Sequence, residues 1–246
     1  MLIERSAYAN RWRRVSPAAK GSFALAGLIA AFAAGSPMVA AGVAAILAAV
    51  TLLGAGVAPA SYLRVASPAL AFLLLGSLSL ACSLGVNEHG LTLQLLPNGL
   101  NPLANVFSRS FAALAALLFL TLTTPLPDLI SLLRRLKTPE ILLEIMVLCY
   151  RMLFVFSAAV QDIWIAQTAR LGYATPRLAL RSLAGLTANL TLQVWQRAND
   201  LHVAAQARNN EGPLHFLAPV FAHAGRDLAI AMIAGSTLLA LAVAMS

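Results

Sequence analysis

"GSFALAGLIAAFAAGSPMVAAGVAAILAAVTLLGAGVAPASYL", Gly21 to Leu63, contains no charged residue and is broken once, by Gly35-Ser36-Pro37. A helix that crosses a bilayer needs roughly 20 apolar residues to match a hydrocarbon core of about 30 Å. The run therefore reads as two spans joined by a tight turn. The rest of the chain agrees with it. Of 246 residues, 60% are hydrophobic and 11% charged, and the mean hydropathy is +0.80, whereas soluble domains carry about a quarter charged residues. Three more charge-free runs follow, from Val65 to Asn87, Ser110 to Pro127 and Leu228 to Ser246. The expected fold is all-α, a polytopic membrane protein with about five transmembrane helices and a cytoplasmic helical coupling region.

Two apolar stretches are set aside as helices packed at or near the membrane surface. Ile145 to Gln161 carries Arg151 at its centre, where an arginine costs about 2.5–3.5 kcal/mol on insertion scales. Ser182 to Gln196 is short and holds Asn189 and Gln193.

Positive charge gives the orientation. Arg5, Arg11, Arg13, Arg14 and Lys20 precede the first span, and Arg64 lies between the second and third. Ten more lie between the fourth and fifth: Arg134, Arg135, Lys137, Arg151, Arg170, Arg177, Arg181, Arg197, Arg208 and Arg226. Sixteen of the seventeen thus fall on one side, with Arg109 alone on the other. By the positive-inside rule that side is the cytoplasm, and the amino terminus lies in it. The net charge of +8 is topological in origin and implies no nucleic-acid partner. The basic arm before an apolar run resembles a signal peptide, but it is long and a second span follows at once, so a retained first span is expected. The division is 1–124 as four membrane helices, 125–225 as cytoplasmic coupling helices and 226–246 as the last span.

Catalytic chemistry is not legible. No expected span has an ionisable residue in its interior, and the nine acids lie in loops, at span ends or in the cytoplasmic region. A coupled secondary transporter calls for such a group at mid-depth or for paired broken helices. His89, His202, His215 and His223 lack metal-ligand spacing and read as solvated or capping residues. Cys82 and Cys149 sit in apolar stretches and read as buried free thiols in helices. The only lysines are Lys20 and Lys137, and neither follows a glycine-rich phosphate loop. No catalytic residue, metal ligand or cofactor is expected. Ser77, Ser79, Thr121 and Thr123 are the mid-span polar groups, and they serve as readily to satisfy backbone or pack helices as to line a path. A self-contained secondary transporter or channel stays open as the alternative.

The basic region opens with "TTPLPDLISLLRRLKTPE", Thr123 to Glu140. Pro125, Pro127 and Pro139 bracket a short helix with Leu129, Leu132, Leu133 and Leu136 at helical spacing and Arg134, Arg135 and Lys137 in its last turn. That is an amphipathic helix for the membrane surface. A long helix from about Pro139 to Arg170 and another from about Arg177 to Arg208 follow, the second stopping at "NNEGP". Each ends in Ala-Arg, at its expected cytoplasmic tip. A guanidinium beside a small residue can grip a partner's carboxylate with two hydrogen bonds. The plain alternative is a charge favoured by the helix macrodipole.

The order "TTPLPDLISLLRRLKTPEILLEIMVLCYRMLFVFSAAVQDIWIAQTARLG", then "RANDLHVAAQARNN", resembles the transmembrane T component of energy-coupling factor transporters. The shared marks are Thr-Pro, Leu-Arg-Arg-Leu before a proline, Tyr-Arg and two Ala-Arg-Gly signatures. The amino-terminal "IERSAYANRWRRVSPAAK" is similar to the opening of the cobalt branch, the CbiQ type. The glycine of both signatures is absent, giving Ala169-Arg170-Leu171 and Ala207-Arg208-Asn209.

The resemblance implies a non-catalytic scaffold in a bacterial inner (cytoplasmic) membrane. It would couple ABC ATPase subunits of the CbiO kind to a substrate-binding membrane subunit of the CbiM kind, with a small CbiN-like subunit beside it, for import of a transition metal, cobalt before nickel. On this reading Ala169, Arg170, Leu171, Ala207, Arg208 and Asn209 are the ATPase contacts. Leu129, Leu133, Arg134, Arg135 and Lys137 form the interfacial helix at the surface of the lipid bilayer, and the metal belongs to the substrate subunit.

Overall fold

The computed structural model describes residues 2–87, 90–95, 100–209, 221 and 223–245, with side chains described outside 1–3, 78–102, 210–220, 222 and 246. The helices are α1 (Leu2–Ala9), α2 (Pro17–Ala33), α3 (Pro37–Ala49), α4 (Pro59–Ala81), α5 (Leu100–Thr123), α6 (Leu126–Arg135), α7 (Glu140–Ala169), α8 (Pro176–Ala207) and α9 (Ala224–Ala244). The chain forms two compact units, one of Met1–Leu129 with Pro219–Ser246 and one of Ile130–Ala218.

Helix starts follow the local chemistry. Ser16 and Ser36 cap α2 and α3 by accepting from the amides of Ala19 and Val39, each with a proline in the next position, where its missing N–H costs nothing. In the first unit α2 and α9 run side by side in the same direction, since Ser16 at the start of one meets Asp227 in the first turn of the other. The α5 helix runs opposite to them. Lys20 near the start of α2 reaches Thr123 at the end of α5, while Arg109 near the start of α5 donates to the carbonyl of Ala34 at the end of α2, at 2.8 Å. The one basic residue on the far side of the charge count is thus a cation at a helix C-terminus.

The core is built of small residues. Ala24, Ala30 and Ala31 of α2, Ala44 of α3, Ala112, Ala115 and Ala116 of α5, and Ala242 of α9 are buried, with Phe23, Leu47, Phe119 and Leu238 filling between them. Small side chains let backbones approach where lipid supplies no hydrophobic drive for association. The approach of α9 to α2 is close at Gly235, where an added Cβ would stand 2.7 Å from the Cβ of Ala26.

Five helices among the described residues are long and apolar enough to cross a membrane: Pro37–Gly54, Pro59–Ser77, Leu103–Thr123, Glu140–Ala169 and Ala224–Ala244. The number matches the sequence reading, but the membership differs. The α2 helix has 17 residues, at the short limit for a span. Ile145 to Gln161, set aside for Arg151, belongs to α7, whose 30 residues meet the length and apolarity of a span although they include Glu140, Glu144, Arg151 and Asp162.

Four further corrections follow. The run Gly21–Leu63 has a second break: α3 passes through a wider turn at Val50–Gly54 and α4 begins at Pro59, so Arg64 lies inside α4 and not in a loop. Gly54, Gly56 and Pro59 were its signals. The run to Asn87 is not one helix. Cys82–Asn87 and Gly90–Leu95 pair as an antiparallel hairpin, Cys82 opposite Leu95 and Asn87 opposite Gly90, so the fold is helical with one small hairpin and Cys82 opens a strand. The alternation Leu91, Leu93, Leu95 against Thr92 and Gln94 is the strand period. The α5 helix begins at Leu100 and so takes in Arg109. Cys149 is exposed and not buried, because α7 buries little more than Leu143.

Glu88, His89, Glu211, His215 and the stop beyond Asn209 lie outside the described residues, as does the side chain of Ser79. Ser77, Thr121 and Thr123 return their hydroxyls to the carbonyls of Leu74, Leu117 and Phe119, satisfying backbone. Gly235→Leu should separate α2 from α9 and cost about 1–3 kcal/mol, as overpacking does. Gly42→Leu, with nothing within 4 Å of an added Cβ, should leave thermal unfolding in detergent unchanged; equal effects from both would refute the tight crossing.

Candidate functional site

The sequence Thr123-Thr124-Pro125-Leu126-Pro127-Asp128 forms the elbow where α5 ends and α6 begins. In a continuing helix the carbonyl of Thr123 would accept the N–H four residues on, but that residue is Pro127, which has none. Instead the carbonyl receives two side chains of the amino-terminal arm: Lys20 Nζ at 2.9 Å and Asn10 Nδ2 at 3.0 Å. Asn10 also ties its own helix, donating to the carbonyl of Ala7 at 2.7 Å. Asp128 in the first turn of α6 accepts from Arg13. Lys20 and Asp128 are only 2% and 1% exposed, and charges this deep persist only where they are paired.

The arm is folded to make these contacts. Between α1 and α2 the segment Arg11–Arg14 forms a short tight helix. The amide of Arg11 donates to the carbonyl of Ala55 at 3.0 Å. Trp12 packs edge-on to Phe119, centroids 6.1 Å apart, and lies over Gly54, where a Cβ would come within 2.9 Å of its ring. Arg13 also stands over the ring of Tyr8, 5.1 Å from its centre. Burial pushes the Tyr8 phenol pKa above its ordinary value, with Glu4 and Asp128 adding to the rise and Arg13 opposing it. Sequence reading treated these basic residues as topological charge and missed this knot; the signal was the pair of prolines, which announce unpaired carbonyls.

In the second unit, three helix ends share one geometry. The only non-glycine residues with positive φ among the described residues are Lys137 (φ 60°), Leu171 (φ 56°) and Asn209 (φ 52°). Each directly follows the last turn of α6, α7 or α8. After α7, the amide of Leu171 bonds the carbonyl of Thr168 at 3.0 Å and that of Gly172 bonds Gln167 at 2.9 Å, the paired pattern of a left-handed helix cap. After α6, Lys137 and Thr138 bond Arg134 and Leu133 in the same way. After α8, Asn209 bonds Gln206 at 2.9 Å. Leu171 and Asn209, in the places after Ala-Arg, thus make a left-handed turn of the kind that usually falls to glycine.

These caps fix the expected contacts. Arg170 and Arg208 occupy equivalent places, with backbone angles of −93°, 15° and −97°, 9°. Ala169, Arg170, Leu171, Ala207, Arg208 and Asn209 are all exposed. The two signatures are not brought together. The α7–α8 connection is an antiparallel hairpin locked at its turn: Gln167 Nε2 donates to the carbonyl of Ser182 at 3.0 Å, Tyr173 Oη to Gln167 Oε1 at 2.7 Å and Ser182 Oγ to the carbonyl of Gly172 at 2.9 Å. Arg170 sits at this turn and Arg208 at the opposite end of the hairpin, on the rim of an open groove of about 950 Å³ between the helices. Gln167, Tyr173 and Ser182 were missed, since nothing in their spacing marks a lock. In α6, Leu129, Leu133 and Arg134 are partly buried while Arg135 and Lys137 are exposed.

A leucine in the left-handed region carries strain of roughly 1–2 kcal/mol, and Leu171 is 72% exposed, so its side chain recovers little. Leu171→Gly should raise the chain's stability by about 0.5–1 kcal/mol, seen as a higher denaturation midpoint; Asn209→Gly should change it less, because asparagine tolerates this conformation. A destabilised Leu171→Gly would show that the side chain is held by contacts.

A model of a protein family described as cobalt transport protein, CbiQ, matches residues 9–215. An uncharacterized protein of Methanocaldococcus jannaschii is 27% identical over 88% of this chain and 83% of its own length. The cobalt transport protein CbiQ of Salmonella typhimurium is 29% identical over 87% of this chain and 98% of its own. That of Rhodobacter capsulatus is 37% identical over 62% and 61%. The match takes in the arm from Ala9, the elbow and both long helices of the second unit with their Ala-Arg ends, and on that ground the chain belongs to the CbiQ family of cobalt transport proteins.

Proposed function

We propose that this membrane component of cobalt transport is the coupling subunit of an energy-coupling factor ABC-type importer. It would receive motion from partner ATPase subunits and pass it to a substrate-binding membrane subunit. The observation that carries the reading is the repeated end of α7 and α8: an exposed arginine after an alanine, followed by a left-handed residue that stops the helix. A guanidinium held at a fixed helix end suits a carboxylate in a partner's groove, and a rigid hairpin suits the transfer of force. ATP hydrolysis would belong to the partners, since the chain has no phosphate-binding loop of its own. A fused relative in Methanocorpusculum labreanum, named as a putative cobalt transport protein CbiMQ, is 34% identical over 48% of this chain. It supports a CbiM-type partner.

On this reading the amino terminus and the α7–α8 hairpin would lie on the cytoplasmic side of an inner membrane, which the excess of Lys and Arg in those segments supports. The chain crosses from the first unit to the second inside α6, one residue beyond the Asp128 that Arg13 holds. Movement imposed on the hairpin would therefore pull on an elbow anchored to the arm.

If Arg170 and Arg208 only decorate helix ends, removing each costs about 0.3–1 kcal/mol of helix stability. If each pairs with a buried carboxylate, truncation costs about 2–5 kcal/mol of binding. Arg170→Ala/Arg208→Ala should lose the ATPase subunits on purification, keep the membrane partner and abolish cobalt uptake, with Arg177→Ala as the unaffected control. A double variant that retains its ATPases and transports normally overturns the coupling role.

A further inference from the structure

The groove between α7 and α8 has a mixed lining that the coupling role does not use. Its floor is apolar, with Leu148, Met152, Leu153, Phe156, Val194 and Leu201. Its polar side chains are Arg151, Arg197, His202 and Arg208, with the thiol of Cys149 beside them, and no acidic residue lines it. The acids nearest in sequence, Glu144 and Asp200, are not among its walls.

The hairpin register brings two of these cations level. Gln167 and Ser182 are bonded across the turn. Arg151 lies sixteen residues before Gln167 on α7 and Arg197 fifteen residues after Ser182 on α8, so both stand about 23 Å from that bond along their helices. Both line the one groove, Arg151 from α7 and Arg197 from α8. Two guanidiniums so placed, with no carboxylate among the lining residues, repel unless an anion lies between them, and guanidinium is the side chain that grips phosphate with paired hydrogen bonds.

We propose that this groove binds one anionic phospholipid, its phosphate held between Arg151 and Arg197 and its acyl chains along the leucine and phenylalanine floor. Basic pockets between transmembrane helices at the cytoplasmic face are recognised sites for such headgroups, the groove here carries the same chemistry, and a volume of about 950 Å³ is at the upper end for a ligand site. An acidic protein segment would satisfy the two arginines but would leave the apolar floor to chance, whereas a phospholipid covers both. The site stands apart from the two Ala-Arg contacts except at Arg208 on its rim, and the test leaves Arg208 untouched.

Cys149 is exposed and lines the groove, so it reports occupancy. In the full chain carrying Cys82→Ser, purified in neutral detergent, dioleoylphosphatidylglycerol should slow alkylation of Cys149 and dioleoylphosphatidylcholine should not. One phosphatidylglycerol should be retained in native mass spectra. Each such arginine is worth about fivefold in affinity for anionic lipid, so Arg151→Ala/Arg197→Ala should weaken protection about thirtyfold, while Arg177→Ala/Arg181→Ala, with equal charge loss on the same helix hairpin, should keep it. Equal loss in both pairs, or protection by both lipids alike, overturns the proposal. So does a co-purified partner subunit that crosslinks to Cys149 and excludes phosphatidylglycerol, since the groove is then a protein interface. ATPase retention by the Arg151/Arg197 variant separates this site from the coupling contacts.

Discussion

A carbonyl group without its helical partner sets the terms for half of this molecule. Pro125 and Pro127 end α5 and begin α6, and in doing so they strip the Thr123 carbonyl of the N–H it would otherwise accept. A buried carbonyl left bare costs of order 1–3 kcal/mol. Lys20 and Asn10 meet the need, and through them the arm, α2 and α5 become one block. Asp128, two residues past the first free N–H of α6, recruits Arg13, and Asp227 of α9 accepts the amide of Ser16 at 3.2 Å. Helices whose core is rich in alanine are thus gathered at one end by polar contacts that an apolar medium strengthens.

Much of the fold was legible because membrane helices obey a coarse ruler. The break at Ser36-Pro37, the proline-bracketed α6 and the two long helices after it all emerge from length, charge and proline placement. What failed were judgements that depended on context. Arg151 argued against a span, yet by length and composition α7 qualifies as one even with Glu140, Glu144, Arg151 and Asp162 among its 30 residues. The hairpin at Cys82–Leu95 was hidden because a charge-free run was measured for length and not for its period of two. The basic arm was counted as charge, and counting is blind to Lys20 being 2% exposed.

The Ala-Arg ends show the opposite balance between motif and geometry. By sequence, the replacement of glycine by Leu171 and Asn209 departs from the signature. By backbone angle both residues take the left-handed turn that glycine favours, at φ 56° and 52°. The hydrogen bonds of the last turn and the lock made by Gln167, Tyr173 and Ser182 determine the conformation, and the residue type determines only its cost.

The arm's contacts also fix an order of events during synthesis. Lys20 leaves the ribosome 103 residues before Thr123, Arg13 leaves it 115 before Asp128, and Ser16 leaves it 211 before Asp227. Loop closure across such separations is slow, so the arm is made long before it can be fastened. Until α9 arrives, Ala26 and its neighbours on α2 face lipid or whatever chaperone attends the nascent chain. The packing of α2 therefore stays incomplete until α9 has been made.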